Sequence, residues 1–242
     1  MEQLRRVARF RVLILLTIRH VKRLLHGVDV SNWQGAVDWS AHAASGVTFG
    51  FAKASEGADY VDKWFARNWL GMRRNRIVCG AYHFGRPKGD PFEQARHFLR
   101  VVRAAGGLRR GDLLALDLET TDDLSPERVS RFARYWCYYI ERRCRMRPIV
   151  YTFQNFAGKG YCEGLGRYPL WIASPSRPKG RPLVPSPWRD WTIHQYSHTP
   201  IDRNIFLGTR RELIALGFDP RDRREQRDRR DRRDRRDRRD RR

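Results

Sequence analysis

The stretch Leu114-Ala115-Leu116-Asp117-Leu118-Glu119 decides the fold. Its apolar residues are typical of a buried strand in a parallel sheet, and two acids interrupt them at positions i and i+2. Because strand side chains alternate between faces, both carboxylates are predicted on one face, with Cα atoms about 7 Å apart. Carboxyl groups that close disfavour simultaneous ionisation, so we expect one of the two to have a raised pKa.

Short apolar runs alternate with amphipathic segments on both sides of this strand, which predicts βα units around a parallel sheet. Strands are predicted at 27–32, 47–54, 77–84, 112–119, 148–152, 169–173, 191–196 and 202–206. Helices are predicted at 36–45, 62–75, 90–105, 125–145 and, briefly, 153–158. Prolines at 175, 178, 182, 185 and 187 disfavour a helix between the sixth and seventh strands. The expected fold is an α/β, TIM-like barrel that departs from regularity in its last third.

The net charge of +23 over 242 residues is concentrated at the ends of the chain. Residues 1–26 carry +6 and residues 219–242 carry another +6, leaving +11 for the body. We therefore predict three parts: a basic and apolar N-terminal segment (1–26), one catalytic barrel (27–218) and a low-complexity Arg/Asp tail (219–242). The four cysteines show no metal-ligand or redox spacing, and we expect them in the core.

The N-terminal segment contains an apolar run at 12–18 between basic residues. This run is too short for an ordinary spanning helix, and no small-residue cleavage site follows it before Gly27. An uncleaved anchor or membrane-surface helix is the favoured interpretation, and an ordinary basic surface helix is the alternative. The tail offers no readout motif and no aromatic residues among its arginines, so no specific nucleic-acid partner is expected.

In βα barrels the functional groups cluster at the carboxyl ends of the strands, where loops converge on one mouth. Polar and aromatic residues fall at those ends here. They are Asp29, Glu56, Tyr82, His83, Asp117, Glu119, Tyr151, Trp171, Gln195, Tyr196 and Asp202. Paired carboxylates suit glycoside cleavage, which needs a protonated acid at the leaving oxygen and a negative partner for the transition state. A hard-cation site built from the acids is the alternative interpretation.

Many motifs in order make the chain resemble the family 25 glycoside hydrolases, lysozymes of the Chalaropsis type, over roughly residues 27–217. The motifs are Gly27-Val28-Asp29-Val30-Ser31 with Trp33-Gln34-Gly35, Phe51-Ala52-Lys53-Ala54-Ser55-Glu56-Gly57, Gly80-Ala81-Tyr82-His83-Phe84, Leu116-Asp117-Leu118-Glu119, Tyr151-Thr152, Leu170-Trp171-Ile172, Trp191-Thr192-Ile193-His194-Gln195-Tyr196-Ser197 and Ile201-Asp202-Arg203-Asn204-Ile205-Phe206. The ends of the chain lie outside this shared pattern.

The resemblance implies a single barrel of five βα units followed by three mostly antiparallel strands. It also implies hydrolysis of the β-1,4 bond between N-acetylmuramic acid and N-acetylglucosamine in peptidoglycan, with no cofactor and no metal. Glu119 matches the family's general acid, and Asp117 matches the acid that stabilises the transition state or the substrate acetamido group. Asp29 and Asp202 match further active-site carboxylates.

Tyr82, Tyr151, Trp171, Gln195 and Tyr196 are expected to bind substrate, although aromatic residues at these positions could equally pack the barrel core. The substrate implies action outside the cytoplasm by a membrane-anchored, periplasmic or secreted protein. We expect the protein to be a monomer. The main alternative is a non-catalytic wall-glycan-binding protein on the same barrel.

Overall fold

Strands from both ends of the chain meet and close the sheet into a barrel. The computed structural model describes residues 24–221. The strands are β1 (Leu24–Val30), β2 (Val47–Glu56), β3 (Tyr60–Val61), β4 (Val78–Phe84), β5 (Leu113–Asp117), β6 (Ile149–Phe153), β7 (Leu170–Ala173), β8 (Ile193–Ser197) and β9 (Asp202–Leu207). Their order is β1-β9-β8-β7-β6-β5-β4-β2, and pairing of β1 with β2 completes the circle. The two-residue β3 is a short addition on β2 outside the closed circle.

Strand direction departs from the expected three antiparallel strands at the end of the chain. Pairings from β1 through β2, β4, β5, β6, β7 and β8 are all parallel, and among the eight strands of the closed circle β9 alone runs antiparallel to its neighbours. The expectation is therefore wrong for β7 and β8. The proline-rich segment 174–192 is long enough to return the chain to the starting edge, as a helix would, whereas the short turn 198–201 reverses it.

Helices cover the outside of the barrel between the first strands. They are α1 (Trp39–Ala44), α2 (Phe65–Arg74), α3 (Pro91–Ala104), α4 (Pro126–Cys144), α5 (Gln154–Phe156) and α6 (Arg210–Ala215). Both α3 and α4 begin with proline at the first turn, where its missing N–H is not needed, and Asp90 caps α3 by accepting from the Glu93 N–H at 2.6 Å. Five βα units followed by three strands are thereby confirmed.

The inside of the barrel is filled by aromatic and aliphatic side chains from alternate strand positions. Phe49, Phe51, Leu113 and Ile193 are completely buried there, and Leu213 of α6 belongs to the same cluster. The bulk of the Phe rings is accommodated because Gly27 and Gly80 of neighbouring strands have no side chain. This packing fills the barrel interior, so only the mouth remains open for a ligand.

A second apolar layer lies between the barrel and its helices, where Trp69, Phe98 and Trp136 are completely buried. The four cysteines are free and buried in the structure, as the sequence predicts. Cys137 and Cys144 lie on α4, one near the middle and one at the end of the helix.

Predicted and observed elements agree to within a few residues for all eight barrel strands and the first five helices. Three elements were not predicted: β3, α6 and the 3-10 turn Asn32–Gln34. Each is at most six residues long, too short to show a period in the sequence. Most of the N-terminal segment and of the Arg/Asp tail lie outside the described residues. Within residues 24–221, none of the helices has the length and apolar character required to span a bilayer.

We predict that Gly80→Ala destabilises the barrel by about 1–3 kcal/mol, because the new methyl group would collide with the Phe51 ring in a filled interior. Urea unfolding measures the effect. Gly158→Ala is the matched control, since a methyl group there meets nothing within 4 Å and should be neutral or stabilising. Equal stability of the two variants would show that the barrel interior can accept the added methyl group beside Phe51, contrary to the prediction.

Candidate active site

The mouth of the barrel holds a pocket of about 220 Å³ at the carboxyl ends of the strands. Its lining residues are Asp29, Ser31, Trp33, Gln34, Lys53, Tyr82, Phe84, Asp117, Glu119, Tyr151, Trp171, Gln195 and Asp202. Strand pairing explains this gathering, because register partners lie side by side: Asp117 with Tyr151, Tyr151 with Trp171, and Asp29 with Asp202. All four predicted acids therefore line one pocket.

A directional chain of hydrogen bonds ends on Asp29. Trp171 Nε1 donates to Asn204 Oδ1 at 2.7 Å, and Asn204 Nδ2 donates to Asp29 Oδ2 at 2.7 Å. From the other side, the Tyr151 hydroxyl donates to Gln195 Oε1 at 3.1 Å, and Gln195 Nε2 donates to Asp29 Oδ2 at 2.9 Å. These bonds fix two aromatic side chains of the pocket and leave the second Asp29 oxygen outside the network.

The pKa of Asp29 is raised to about 7 despite those bonds. Burial is the largest cause, and the negative charges of Asp202 and Glu119 add to it, while the amides of Asn204 and Gln195 act in the opposite direction. Asp29 therefore titrates near neutral pH, well above its usual 3.8.

The pair identified in the sequence, Asp117 and Glu119, opens onto the same pocket. Asp117 is buried, and its Oδ1 has no hydrogen-bond partner in the described part of the chain. Burial and the neighbouring Glu119 raise the pKa of Asp117 well above its usual range. The pKa of Glu119 is also raised, first by removal of its carboxyl group from water, with Lys53 opposing and Asp202 adding to the shift. The two acids therefore titrate as a pair: when one of them is ionised the other keeps its proton more readily, so that the pair shares one proton.

Lys53 is a pocket residue that the sequence argument did not assign. Its Nζ pairs with Glu56 Oε2 at 2.6 Å and lies over the Phe84 ring at 4.8 Å. Glu56 in turn pairs with Arg86, so the ammonium group is held by a chain of charges at the wall of the pocket. Glu56 itself is not a lining residue, so its contact with the pocket is indirect, through Lys53. Lys53 brings positive charge to a cluster of acids and favours their ionised forms.

Trp33 stands at the rim of the pocket with 87% of its surface exposed. It belongs to the 3-10 turn Asn32–Gln34, which is fixed by a reciprocal cap between Ser31 and Gln34. Asp62 Oδ2 accepts a hydrogen bond from the Asn32 N–H at 2.8 Å and holds the turn against the chain after β3. An indole this exposed on a well-held turn is placed to meet a ligand.

Of the five residues expected to bind substrate, Tyr196 is the one that does not line the pocket. Gln195 points inward from β8, so alternation turns Tyr196 outward, where its ring contacts His194 and lies 5.1 Å from Lys179 Nζ. Asn204 is the converse case: it belongs to the site through its side-chain amide, although it was not predicted as a site residue.

In the stretch from residue 24 to residue 221, no three His, Cys, Asp or Glu side chains are arranged to hold a metal ion.

A closed βα barrel with acids of raised pKa and aromatic side chains in its mouth defines a class of protein, the barrel enzymes that work on sugars by acid–base chemistry. The sequence pattern of glycosyl hydrolases family 25 matches residues 28–205, and the chain belongs to this family. It is a glycosidase.

Relatives and solved structures agree with that assignment. Lysozyme M1 of Streptomyces globisporus is 30% identical over 213 residues, which cover 79% of this chain and 71% of that protein. An Escherichia coli protein described as uncharacterized protein YegX is 34% identical over 78% of this chain and 72% of its own length. The crystal structure of the bacterial lysozyme from Streptomyces coelicolor superposes with a TM-score of 0.72 at 30% identity, covering 79% of this chain and 96% of that one.

We predict that Asp29→Asn changes how stability depends on pH. In the unfolded chain Asp29 ionises around its usual 3.8, whereas the folded protein keeps the proton until about 7, so the wild type loses stability as pH rises through that window. The asparagine variant does not titrate there. The free energy of unfolding of Asp29→Asn, minus that of the wild type, should therefore increase by about 1 kcal/mol per pH unit between pH 4 and 7.

Urea unfolding at several pH values provides the measurement. Asp59→Asn, a change at an exposed acid outside the pocket, serves as the control. A difference between Asp29→Asn and wild type that stays constant from pH 4 to 7 would contradict the raised pKa.

Proposed function

We propose that this glycosidase hydrolyses peptidoglycan at the β-1,4 bond between N-acetylmuramic acid and N-acetylglucosamine. The observation that carries the proposal is the Asp117–Glu119 pair, two acids of raised pKa facing one open pocket, one of them with an unpartnered oxygen. The lysozyme and N,O-diacetylmuramidase names of its relatives support the choice of glycan.

Glu119 is the general acid in this proposal. It lies at the open side of the mouth, where a leaving-group oxygen can reach it, and its raised pKa keeps it protonated at higher pH than an ordinary glutamate. The proton passes to the glycosidic oxygen as the bond to the anomeric carbon breaks. Glu119, now ionised, can then take a proton from the incoming water.

Asp117 is the negative partner. Once the shared proton resides on Glu119, the buried Asp117 carboxylate stabilises the oxocarbenium-like transition state or holds the substrate acetamido N–H. We favour attack on the anomeric carbon by the substrate acetamido oxygen, which gives a retained configuration. Because the substrate acetamido oxygen attacks the anomeric carbon, no enzyme carboxylate has to form a covalent bond. Asp117 then acts through its negative charge alone.

The remaining pocket residues position the glycan. Asp29 and Asp202 complete the ring of acids, and the aromatic rings of Tyr82 and Tyr151 offer apolar faces to sugar rings, while Gln195 holds Asp29 in place. Trp171 is 2% exposed and packs against Phe51 and Tyr151, so it supports this surface from the barrel interior. Trp33 extends this surface to the rim.

Peptidoglycan lies outside the cytoplasmic membrane, so the proposal places the enzyme there, acting as a monomer. Residues 27–218 form its catalytic unit in this proposal, residues 1–26 associate with a membrane, and residues 219–242 add a basic tail. No cofactor is required by the acid–base scheme.

We predict that Glu119→Gln lowers the release of reducing ends from purified peptidoglycan by about 10²–10⁴-fold, because the amide cannot donate the proton. Asp117→Asn should also lose activity while the protein stays folded. Glu163→Gln, at an exposed acid outside the pocket, is the matched control and should keep wild-type activity.

Identification of the new reducing end distinguishes the outcomes. N-acetylmuramic acid at that end supports the proposal, and N-acetylglucosamine would make the enzyme a different glycosidase. A folded wild-type protein that binds wall glycan but releases nothing would favour the non-catalytic binding function.

We also predict that Trp33→Ala raises KM for long glycan strands by about 2–10-fold with little change in kcat, since stacking of one ring on a sugar is worth about 0.5–1.5 kcal/mol. Trp33→Tyr should retain most of the affinity. Tyr138→Ala removes a half-exposed ring from α4, far from the pocket lining, and should leave KM unchanged. A kcat loss with an unaltered KM would show that Trp33 acts in the chemical step instead.

A further inference from the structure

A second cavity, larger than the active-site pocket, lies between α3 and α4 on the outside of the barrel. Its volume is about 650 Å³. We call it the rear groove, and its lining residues are Arg96, Leu99, Arg100, Val102, Arg103, Gly107, Leu108, Tyr139, Arg143, Cys144 and Phe218. No residue of the rear groove lines the active-site pocket.

One wall of the rear groove is a stripe of arginines. Arg96, Arg100 and Arg103 are separated by four and three residues on α3, which places them on one face of the helix, and all three are exposed. Within the described chain none of the three forms an ion pair. Like charges at this spacing repel and weaken a helix, so the stripe has no stabilising role that the structure shows.

The floor of the groove is apolar. Leu99, Leu108 and Tyr139 of α4 are partly buried, and Phe218 is 7% exposed. Guanidinium groups above an apolar floor match a molecule with a phosphate at one end and hydrocarbon below it, since arginine binds phosphate through two parallel hydrogen bonds. A phospholipid has this chemistry, whereas a nucleic-acid backbone offers phosphate to the arginines but no hydrocarbon to the apolar floor.

The rear groove also lies towards the end of the barrel opposite the mouth. Its residues come from the second half of α3, the end of α4 and the loop before β5, all of which precede the strand starts, whereas the pocket lies where the strands end. The described chain begins at that same end, at the start of β1. Phe218 of the groove immediately precedes the Arg/Asp tail. The sequences flanking the barrel, 1–23 and 219–242, carry +6 each.

We infer that the rear groove binds the phosphate headgroups of anionic phospholipids and sets the barrel on a membrane with its mouth turned away from the bilayer. The orientation rests on the proposed function, because this orientation presents the mouth to wall glycan. Lipid binding by the rear groove does not depend on that function. Lipid binding is measured without substrate, so its failure and a failure of glycan hydrolysis are distinguishable.

The test uses the full chain and vesicles of phosphatidylcholine with and without phosphatidylglycerol, at about 0.15 M salt so that distant charges are screened. The groove variant is Arg96→Gln/Arg100→Gln/Arg103→Gln. Its matched control, Arg128→Gln/Arg131→Gln/Arg177→Gln, removes the same charge from exposed arginines that do not line the groove. Thermal unfolding checks that both variants are folded.

The groove variant should bind phosphatidylglycerol vesicles about tenfold more weakly or worse, and the control should lose much less. Equal losses in the two variants would overturn the proposal, because net charge alone would then explain binding. A larger loss of duplex-DNA binding than of vesicle binding in the groove variant would overturn it in favour of a nucleic-acid surface.

The orientation has its own readout. Vesicle-bound wild type should cleave soluble glycan fragments at the rate of the free enzyme, because its mouth stays open to solvent. Slower cleavage in the presence of vesicles that contain phosphatidylglycerol, but not with vesicles of phosphatidylcholine alone, would show that the mouth faces the bilayer. That result would reject the orientation.

Discussion

The strict alternation of side chains along strands, imposed on a sheet that closes on itself, is the constraint on which the rest of the structure depends. Each strand has one set of positions that faces the interior, and in this barrel Phe49 and Phe51 use them to fill the space. Further along the same faces, past the apolar layers, the inward positions carry Lys53, Asp117 and Gln195. The inward-facing positions of the strands therefore form the core within the barrel and the site at its mouth.

Much of this arrangement could be predicted from the sequence. Apolar runs and their helical partners are long enough to show their period, and a pair of acids in an apolar strand such as Asp117 and Glu119 is visible without a structure. What the sequence leaves open is which of the two alternating sets of side chains on a strand faces the interior. Tyr196 was expected in the pocket beside Gln195, yet adjacent strand residues face opposite sides, and a pair of neighbours cannot both point inward.

Trp33, Lys53 and Asn204 show a second limit of sequence reasoning. Trp33 and Asn204 depend on partners distant along the chain: Asp62 holds the turn of Trp33, and Asn204 bridges Trp171 and Asp29. Lys53 pairs with Glu56 only three residues away, but its place in the pocket wall is visible only once the barrel has closed. The direction of those hydrogen bonds matters, because amide groups that donate to Asp29 present their oxygens to the tryptophan and tyrosine behind them. An interchange of nitrogen and oxygen at either amide would break the chain of bonds at two points.

Pairing of β1 with β9 makes the first and last strands of the barrel neighbours, so that Asp29 lies opposite Asp202. The sequence separation between them is nearly the whole length of the barrel, which makes this a contact of very high order. During synthesis the edge of β1 that β9 will cover stays unpaired until the last strand has been made. A chain interrupted before β9 would contain most of the core and the Asp117–Glu119 pair, but it would lack Asp202 and Asn204, the two β9 residues that lie beside Asp29.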